Sequence, residues 1–334
     1  MSQGLPIELK DYHGLLCGFL LRPQAPAQQL EWDDVFEAFG IPNSAVWLHF
    51  NLVDSRARDW IANCDRIPQV ARELLLAADP HIQLEVVEDG LMGAIGDLYY
   101  EFQADPDSLG LLRIYIDRGC MISVRRRPLK AIDRLRRDLN AGESIESPMD
   151  LMVHLVDLLN DMFDRVVTDL REVVEDLEDQ ILKENFYADR RELSRVRRLL
   201  AQLRRHLNAN RHAFVARLMP HLPSWCSENE LSELRRDLDR LNAVAQDLEL
   251  VQERARLVQE EMASRLQETV NRNLYMLSIV TTIFLPITLI TGLFGMNVGG
   301  LPWTEDPLGF LWCVNLMGLT LAISFMMLRK QQFF

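Results

Sequence analysis

The stretch NRNLYMLSIVTTIFLPITLITGLFGMNVGGLPWTEDPLGFLWCVNLMGLTLAISFMML, residues 271–328, decides how this chain is built. No charged residue occurs from Asn273 to Thr304, and none from Pro307 to Leu328. Each run holds an apolar core of about 20 residues, the length at which a helix crosses ~30 Å of hydrocarbon. Two such runs parted by a short polar loop are rare as buried helices of a soluble fold, so the pattern predicts two membrane spans. The loop between them has no Lys or Arg and carries the adjacent acids Glu305 and Asp306. Arg265 and Arg272 precede the first span, while Arg329 and Lys330 follow the second. Basic flanks stay on the cytoplasmic side, so the loop is expected outside and both termini inside.

Working outward, most of the 334 residues precede the first span and are expected in the cytoplasm. The formal charge of −13 argues against a nucleic-acid partner, which would call for a basic excess. Five scattered cysteines (Cys17, Cys64, Cys120, Cys226, Cys313) form no CxxC pair and read as reduced thiols. No apolar segment of signal-peptide type opens the chain, which makes the first span the expected insertion signal.

Residues 1–142 alternate strand-like and helix-like segments and are expected to form an α/β domain. Strand-like runs lie at Val46–Asn51, Leu91–Phe102, Leu111–Ile116 and Cys120–Val124, with helical patterns near 55–77 and after Pro128. Neither GxGxxG nor GxxxxGK[ST] occurs, so no nucleotide-binding motif is present. The domain is read as an assembly scaffold or as an intracellular cation sensor. Residues 143–270 read as a helical stalk. Ser147–Pro148 starts an acidic helix running to about Glu184; Asp189 and Glu192 start an arginine-rich one running to Leu218. Opposite charge invites antiparallel pairing of the two, and the acidic helix is read as solvated structure or as a cation reservoir. Ser227 and Glu230 form a capping box, and no breaker follows before Pro286. Leu231, Leu234, Leu238, Leu241, Ala245 and Leu248 repeat at helical spacing, which predicts one helix from Glu228 to Phe294, ~100 Å long at 1.5 Å per residue.

The tripeptide Gly295-Met296-Asn297 closes the first of two C-terminal spans, and in that setting the chain resembles the CorA family of divalent-cation transporters. Magnesium-transporting members usually follow GMN with an aromatic residue and a Met-Pro-Glu stretch. Here Val298, Gly299, Gly300, Leu301 and Pro302 follow, similar to the zinc-transporting ZntB branch. The resemblance implies an α+β inner-membrane protein: a cytoplasmic α/β domain, a long helical stalk, two transmembrane helices and assembly as a homopentamer. It implies no cofactor besides the transported divalent cation, zinc, with magnesium, cobalt or nickel open as alternatives. The divisions expected are 1–142, 143–270, a pore helix at 271–297, an external loop at 298–307, a second span at 308–328 and a tail at 329–334.

Two helices cannot enclose a water-filled path, so conduction requires several copies. A heptad seam through the first span collects Asn271, Leu274, Ser278, Thr281, Leu285, Thr288, Gly292 and Gly295. Three of the five hydroxyl residues of the span, Ser278, Thr281 and Thr288, lie on it. Such hydroxyls either line a pore or satisfy backbone carbonyls and let helices approach. By the resemblance Asn297 forms the ring at the mouth, with Gly295 and Met296 shaping its turn. Glu305 and Asp306 would concentrate cations outside, and Leu285 and Leu274 are candidate apolar constrictions. Extending the seam inward gives Glu260 and Glu253, which face a central axis or a solvated outer face. Zinc favours His and Cys, yet no histidine lies in either span and no HxxxH occurs. A membrane-anchored coiled-coil scaffold is the rival reading; an enzyme finds no nucleophile–base motif.

Overall fold

The computed structural model describes residues 14–78, 80–99, 109–182, 190–296, 298–303 and 306–330. It divides into two compact units, residues 1–258 and 259–334.

The first unit is built on a seven-stranded sheet: β1 (Leu15–Arg22), β2 (Ala25–Leu30), β3 (Ala45–Asn51), β4 (Gln83–Val87), β5 (Gly90–Leu98), β6 (Leu109–Ile116) and β7 (Cys120–Arg125). Their order is β2-β1-β3-β7-β6-β5-β4, with β3 and β7 parallel and every other pair antiparallel. The parallel pair is possible because a long crossover separates the two strands in sequence. That crossover contains the helices α2 (Ser55–Asn63) and α3 (Gln69–Leu76). Pro68 splits the 55–77 helical pattern, since it supplies no N–H and its ring disfavours helix in the residue before it.

Alternation within β3 sorts the two faces. Val46, Leu48 and Phe50 join Ile122 and Val124 in a core with Ala57 and Ile61 of α2, Leu75 of α3 and Val35 of the short α1 (Val35–Ala38). Trp47 and His49 point the other way, where both contact Ser123 Oγ at 2.8 Å. Helices α4 (Lys130–Asn140) and α5 (Pro148–Leu182) cover the sheet from there. Asp97, fully buried on β5, accepts N–H bonds from Ala131 and Ile132 and so caps the start of α4. Burial pushes its carboxyl up to about 7, against the pull of those donors. In the β4–β5 hairpin, a Cβ on Gly93 would fall 2.0 Å from the Gln83 carbonyl oxygen, so glycine is required there.

Helix α6 (Arg190–Arg211) continues as a π-helical turn, His212–Leu218. Its Asn210 side chain accepts from Gly96 N–H at 2.7 Å and donates to Gly96 O at 3.0 Å. That amide replaces a strand partner for β5 beyond the end of β4. Helix α7 (Glu228–Phe294) starts at the expected capping box: Ser227 N–H donates to Glu230 at 2.7 Å and Glu230 N–H to Ser227 Oγ at 3.3 Å. The acidic α5 packs on the basic α6 as expected. It is also ion-paired to α7: Arg240 holds Asp157 and Asp161 at 2.8 and 2.5 Å, and Arg254 holds Glu175 and Glu178 at 2.5 and 2.8 Å. Leu193, Val196, Leu199, Leu200, Leu203 and Leu207 form the buried stripe of α6. Asp189, expected to cap α6, lies outside the described residues.

The second unit contains the remainder of α7 and α8 (Gly309–Lys330). Both helices are long and apolar enough to cross a membrane. Ile279, Ile283, Ile287, Ile290 and Phe294 are the more sheltered residues of α7 there, and Cys313, Leu316, Thr320, Ser324 and Leu328 are those of α8.

Candidate functional site

The seam on α7 is a continuous exposed stripe. From Gln246 through Leu250, Glu253, Leu257, Glu260, Ser264, Gln267 and Asn271 to Leu274, Ser278, Thr281, Leu285, Thr288, Gly292 and Gly295, every residue is exposed. In the second unit this stripe is opposite the sheltered isoleucines, so it leaves α8 on the far side of the helix. Thr281 Oγ1 donates to Leu277 O at 2.8 Å and Thr288 Oγ1 to Phe284 O at 2.7 Å. Each hydroxyl has one proton, and here it is committed to the backbone. The oxygen therefore keeps lone pairs with which to accept a further hydrogen bond. Back-bonding and an outward-facing acceptor are thus compatible in the same side chain. Thr282 donates to Ser278 O at 2.8 Å but is half-buried beside the isoleucines. Pro286 sits within α7 and offers no N–H to the Thr282 carbonyl.

At the C-terminal end of α7, Gly295 N–H closes the helix on Thr291 O at 2.9 Å. A Cβ on Gly295 would also sit 2.9 Å from that oxygen, which explains a glycine at this turn. Met296 N–H follows onto Leu293 O. Asn297 and Glu305 lie outside the described residues. Asp306 is described. Its Oδ1 accepts from Leu308 N–H at 2.9 Å, fixing the turn into α8.

The loop residue that reading the sequence missed is Trp303. Its ring stacks on Phe294 at 6.3 Å and on Trp312 at 6.4 Å, tying the ends of the two helices together. Its φ of 62° is costly for a bulky residue, by about 1–3 kcal/mol, which the two ring contacts offset. An aromatic residue after Pro302, between two aromatic helix ends, was the available signal.

The acids of the inward seam are less bare than the sequence implied. Glu253 pairs with Arg256 at 2.6 Å, and that hydrogen-bonded guanidinium holds its carboxyl below the usual range. Glu253 also edges a groove shared with Arg197 and Arg198 of α6. Glu260 is exposed. Leu250 and Leu257, 69% and 51% exposed, flank these acids on the same stripe. Among the described residues no group of three or more His, Cys, Asp or Glu is arranged to hold a metal. A Ser–His contact exists, His49 with Ser123, but both are sealed in the core and burial keeps the imidazole well below its ordinary pKa.

The family model described as CorA-like Mg2+ transporter protein matches residues 42–330. The chain belongs to the CorA family. It is a divalent-cation transporter by family and not an enzyme. This CorA chain is 28% identical over 326 residues to the divalent cation transporter CmaX of Pseudomonas aeruginosa, covering 97% of this chain and 98% of that protein. It is also 28% identical over 289 residues to the zinc transport protein ZntB of Yersinia enterocolitica, covering 86% and 88%. The solved full-length CmaX structure superposes with a TM-score of 0.84 at 27% identity, over 97% of this chain and all of that one. The complete CorA magnesium transporter of Methanocaldococcus jannaschii, 18% identical over 94% of this chain and 97% of that one, shares the fold with a TM-score of 0.75.

Proposed function

We propose that the protein is a homopentamer carrying Zn2+ across the cytoplasmic membrane, along a path enclosed by the α7 seams of five copies. The observation that carries this reading is the unbroken exposed stripe from Gln246 to Gly295, polar at Ser278, Thr281 and Thr288 within an otherwise apolar segment. Packing five seams together would shelter Leu250, Leu257, Leu274 and Leu285 and bring the hydroxyl oxygens into rings. Neutral oxygens cannot strip a divalent ion cheaply, so the rings would grip its waters rather than the bare ion. In this scheme Asn297 forms the mouth with Gly295 and Met296, Leu285 and Leu274 narrow the path, and Asn271 marks its inner end. Glu305 and Asp306 attract cations outside, while Glu260 and Glu253 receive them on the cytoplasmic side. The domain limits follow: cytoplasmic α/β domain 1–142, stalk 143–270, pore helix 271–297, loop 298–307, second span 308–328 and tail 329–334, with both termini cytoplasmic.

Similarity to ZntB supports zinc as the cargo. Magnesium, cobalt or nickel is the second reading, favoured by a seam whose neutral oxygens suit a hydrated ion better than zinc's usual nitrogen and sulfur ligands. Purified protein in liposomes loaded with a zinc dye, with and without an inward proton gradient, separates them. Zinc uptake that survives excess Mg2+ supports the zinc reading, and acceleration by the gradient adds proton coupling. Block by equimolar Mg2+ favours the second. In the same assay Asn297→Ala should lower uptake at least about tenfold while the pentamer still elutes intact. Wild-type flux in that variant would remove Asn297 from the mouth.

A further inference from the structure

The first unit contains a cleft of about 610 Å³ that the transport reading does not use. Its basic residues come from four places in the chain: His81 before β4, Arg113 on β6, Arg126 and Arg127 after β7, and Arg205 with His206 on α6. The volume is that of an ordinary small-molecule site. The charge is not ordinary: the chain as a whole is at −13, yet four guanidiniums converge here. Among the described residues Arg126, Arg127 and Arg205 form no ion pair with a carboxylate, although they are exposed and the chain is rich in acids. Arg113 is different. It is buried, and its Nη1 donates to Leu75 O at 2.9 Å, so it is a fixed part of the cleft wall. Arg127 is held over the Tyr99 ring, 5.4 Å from its centroid, which positions both the charge and an aromatic surface at the rim.

Like charges gathered on separate elements repel unless an anion sits among them. Guanidinium forks match phosphate oxygens two at a time, and several forks favour a ligand with more than one phosphate. We propose that this cleft binds a small polyphosphate anion, either an inorganic diphosphate or a nucleoside di- or triphosphate whose base would lie on Tyr99. Because Arg205 belongs to α6 and Arg126 and Arg127 to the segment after β7, an occupied cleft ties α6 to the end of that strand, a cytoplasmic input separate from the transported cation.

The test uses the full-length protein in detergent, freed of divalent cations so that chelation has no part in the result. Binding of pyrophosphate and of ATP is measured by calorimetry at about physiological ionic strength, with melting temperature as a second readout. Both anions are expected to bind in the micromolar range and raise the melting temperature, while equal ionic strength of potassium chloride does not. Arg126→Ser with Arg127→Ser, and separately Arg205→Ser, should each weaken binding at least about tenfold. These side chains are exposed, and each variant's melting temperature without ligand checks that it is folded. Tighter binding of ATP than of pyrophosphate, lost in Tyr99→Ala, identifies a nucleotide; equal binding that ignores Tyr99→Ala identifies the phosphates alone. Absence of binding by either anion, or binding unchanged in both arginine variants, overturns the proposal.

Discussion

Between Glu228 and Val258, helix α7 buries Leu234, Leu238, Leu241, Val244, Leu248 and Val251, and its surface is ion-paired to α5. Between Gln259 and Phe294 the same helix leaves Leu274, Leu277, Phe284, Leu285 and Leu289 more than half exposed. One backbone thus follows opposite rules along its length. Where water is the solvent, apolar residues mark the inside. Where hydrocarbon is the solvent, apolar residues carry no cost outside, and the polar stripe is what marks a shared interior. The largest expected effect follows from this contrast. Leu248→Ala, at a fully buried site, should lower stability by about 2–5 kcal/mol. Leu289→Ala, 60% exposed, should cost well under about 1 kcal/mol. Unfolding of the purified variants in detergent measures both, and equal losses would refute the contrast.

The polar stripe is tested next. Thr281→Val with Thr288→Val removes the two outward oxygens at nearly constant volume and also removes their bonds to Leu277 O and Phe284 O. Zinc uptake should fall about tenfold, with the melting temperature close to wild type, because those carbonyls keep their helical partners. Thr282→Val serves as the control: it also back-bonds, but from the half-buried side, and should leave uptake within about twofold. Equal losses in the two variants would mean that back-bonding, not the path, is what these hydroxyls supply.

The two regions also differ in how much could be read beforehand. In the second unit the two long apolar helices were legible, because length and charge exclusion are local signals. In the first unit β3, β5, β6, β7 and the start of α7 were legible from equally local signals. Strand β2, Ala25–Leu30, was not: APAQQL is a sheet edge with Pro26 and mostly exposed side chains, so it lacks both alternation and β-branched residues. The all-buried β5 also lacks alternation, yet its apolar run was legible as a strand. The packing of α5 on α6 was legible, because charge complementarity in neighbouring helices is a local cue. The ion pairs of α5 with α7 were not, since they join residues 83 and 79 positions apart, as with Arg240 and its two aspartates. The basic cleft escaped for the same reason, its arginines being spread over β6, the segment after β7 and α6.

Packing of α7 on α5 makes a pH prediction for the water-solvated half. Asp237 is half-buried, and burial together with the nearby Asp157 pushes its carboxyl up to about 6, against Arg236 and Arg240. A folded pKa above the unfolded one means that ionisation costs stability as pH rises from about 4 through 6. Asp237→Asn cannot ionise, so it should be more stable than wild type at about pH 7.5 and equal to it at about pH 3.5, below the unfolded pKa. For a group this exposed the gain is about 1 kcal/mol at most. Melting curves at the two pH values measure it. A constant offset at both would make the effect one of geometry, not charge.

The smallest expected effect lies in the loop between α7 and α8, where charge acts through solvent. Glu305→Gln with Asp306→Asn removes the acids of that loop. The asparagine keeps an acceptor for Leu308 N–H, so the turn into α8 is preserved. An exposed charge attracts cations over roughly 30 Å at 0.01 M salt but only about 3 Å at 1 M. Uptake should therefore fall about two- to threefold at low ionic strength and match wild type near 1 M. Asp306→Ala is the contrasting variant: it loses the Leu308 bond as well as the charge, so its uptake should stay low at every salt concentration. If the Gln/Asn variant behaves like the alanine one, the acids act as direct ligands or as structure. The field they cast over the mouth then contributes nothing.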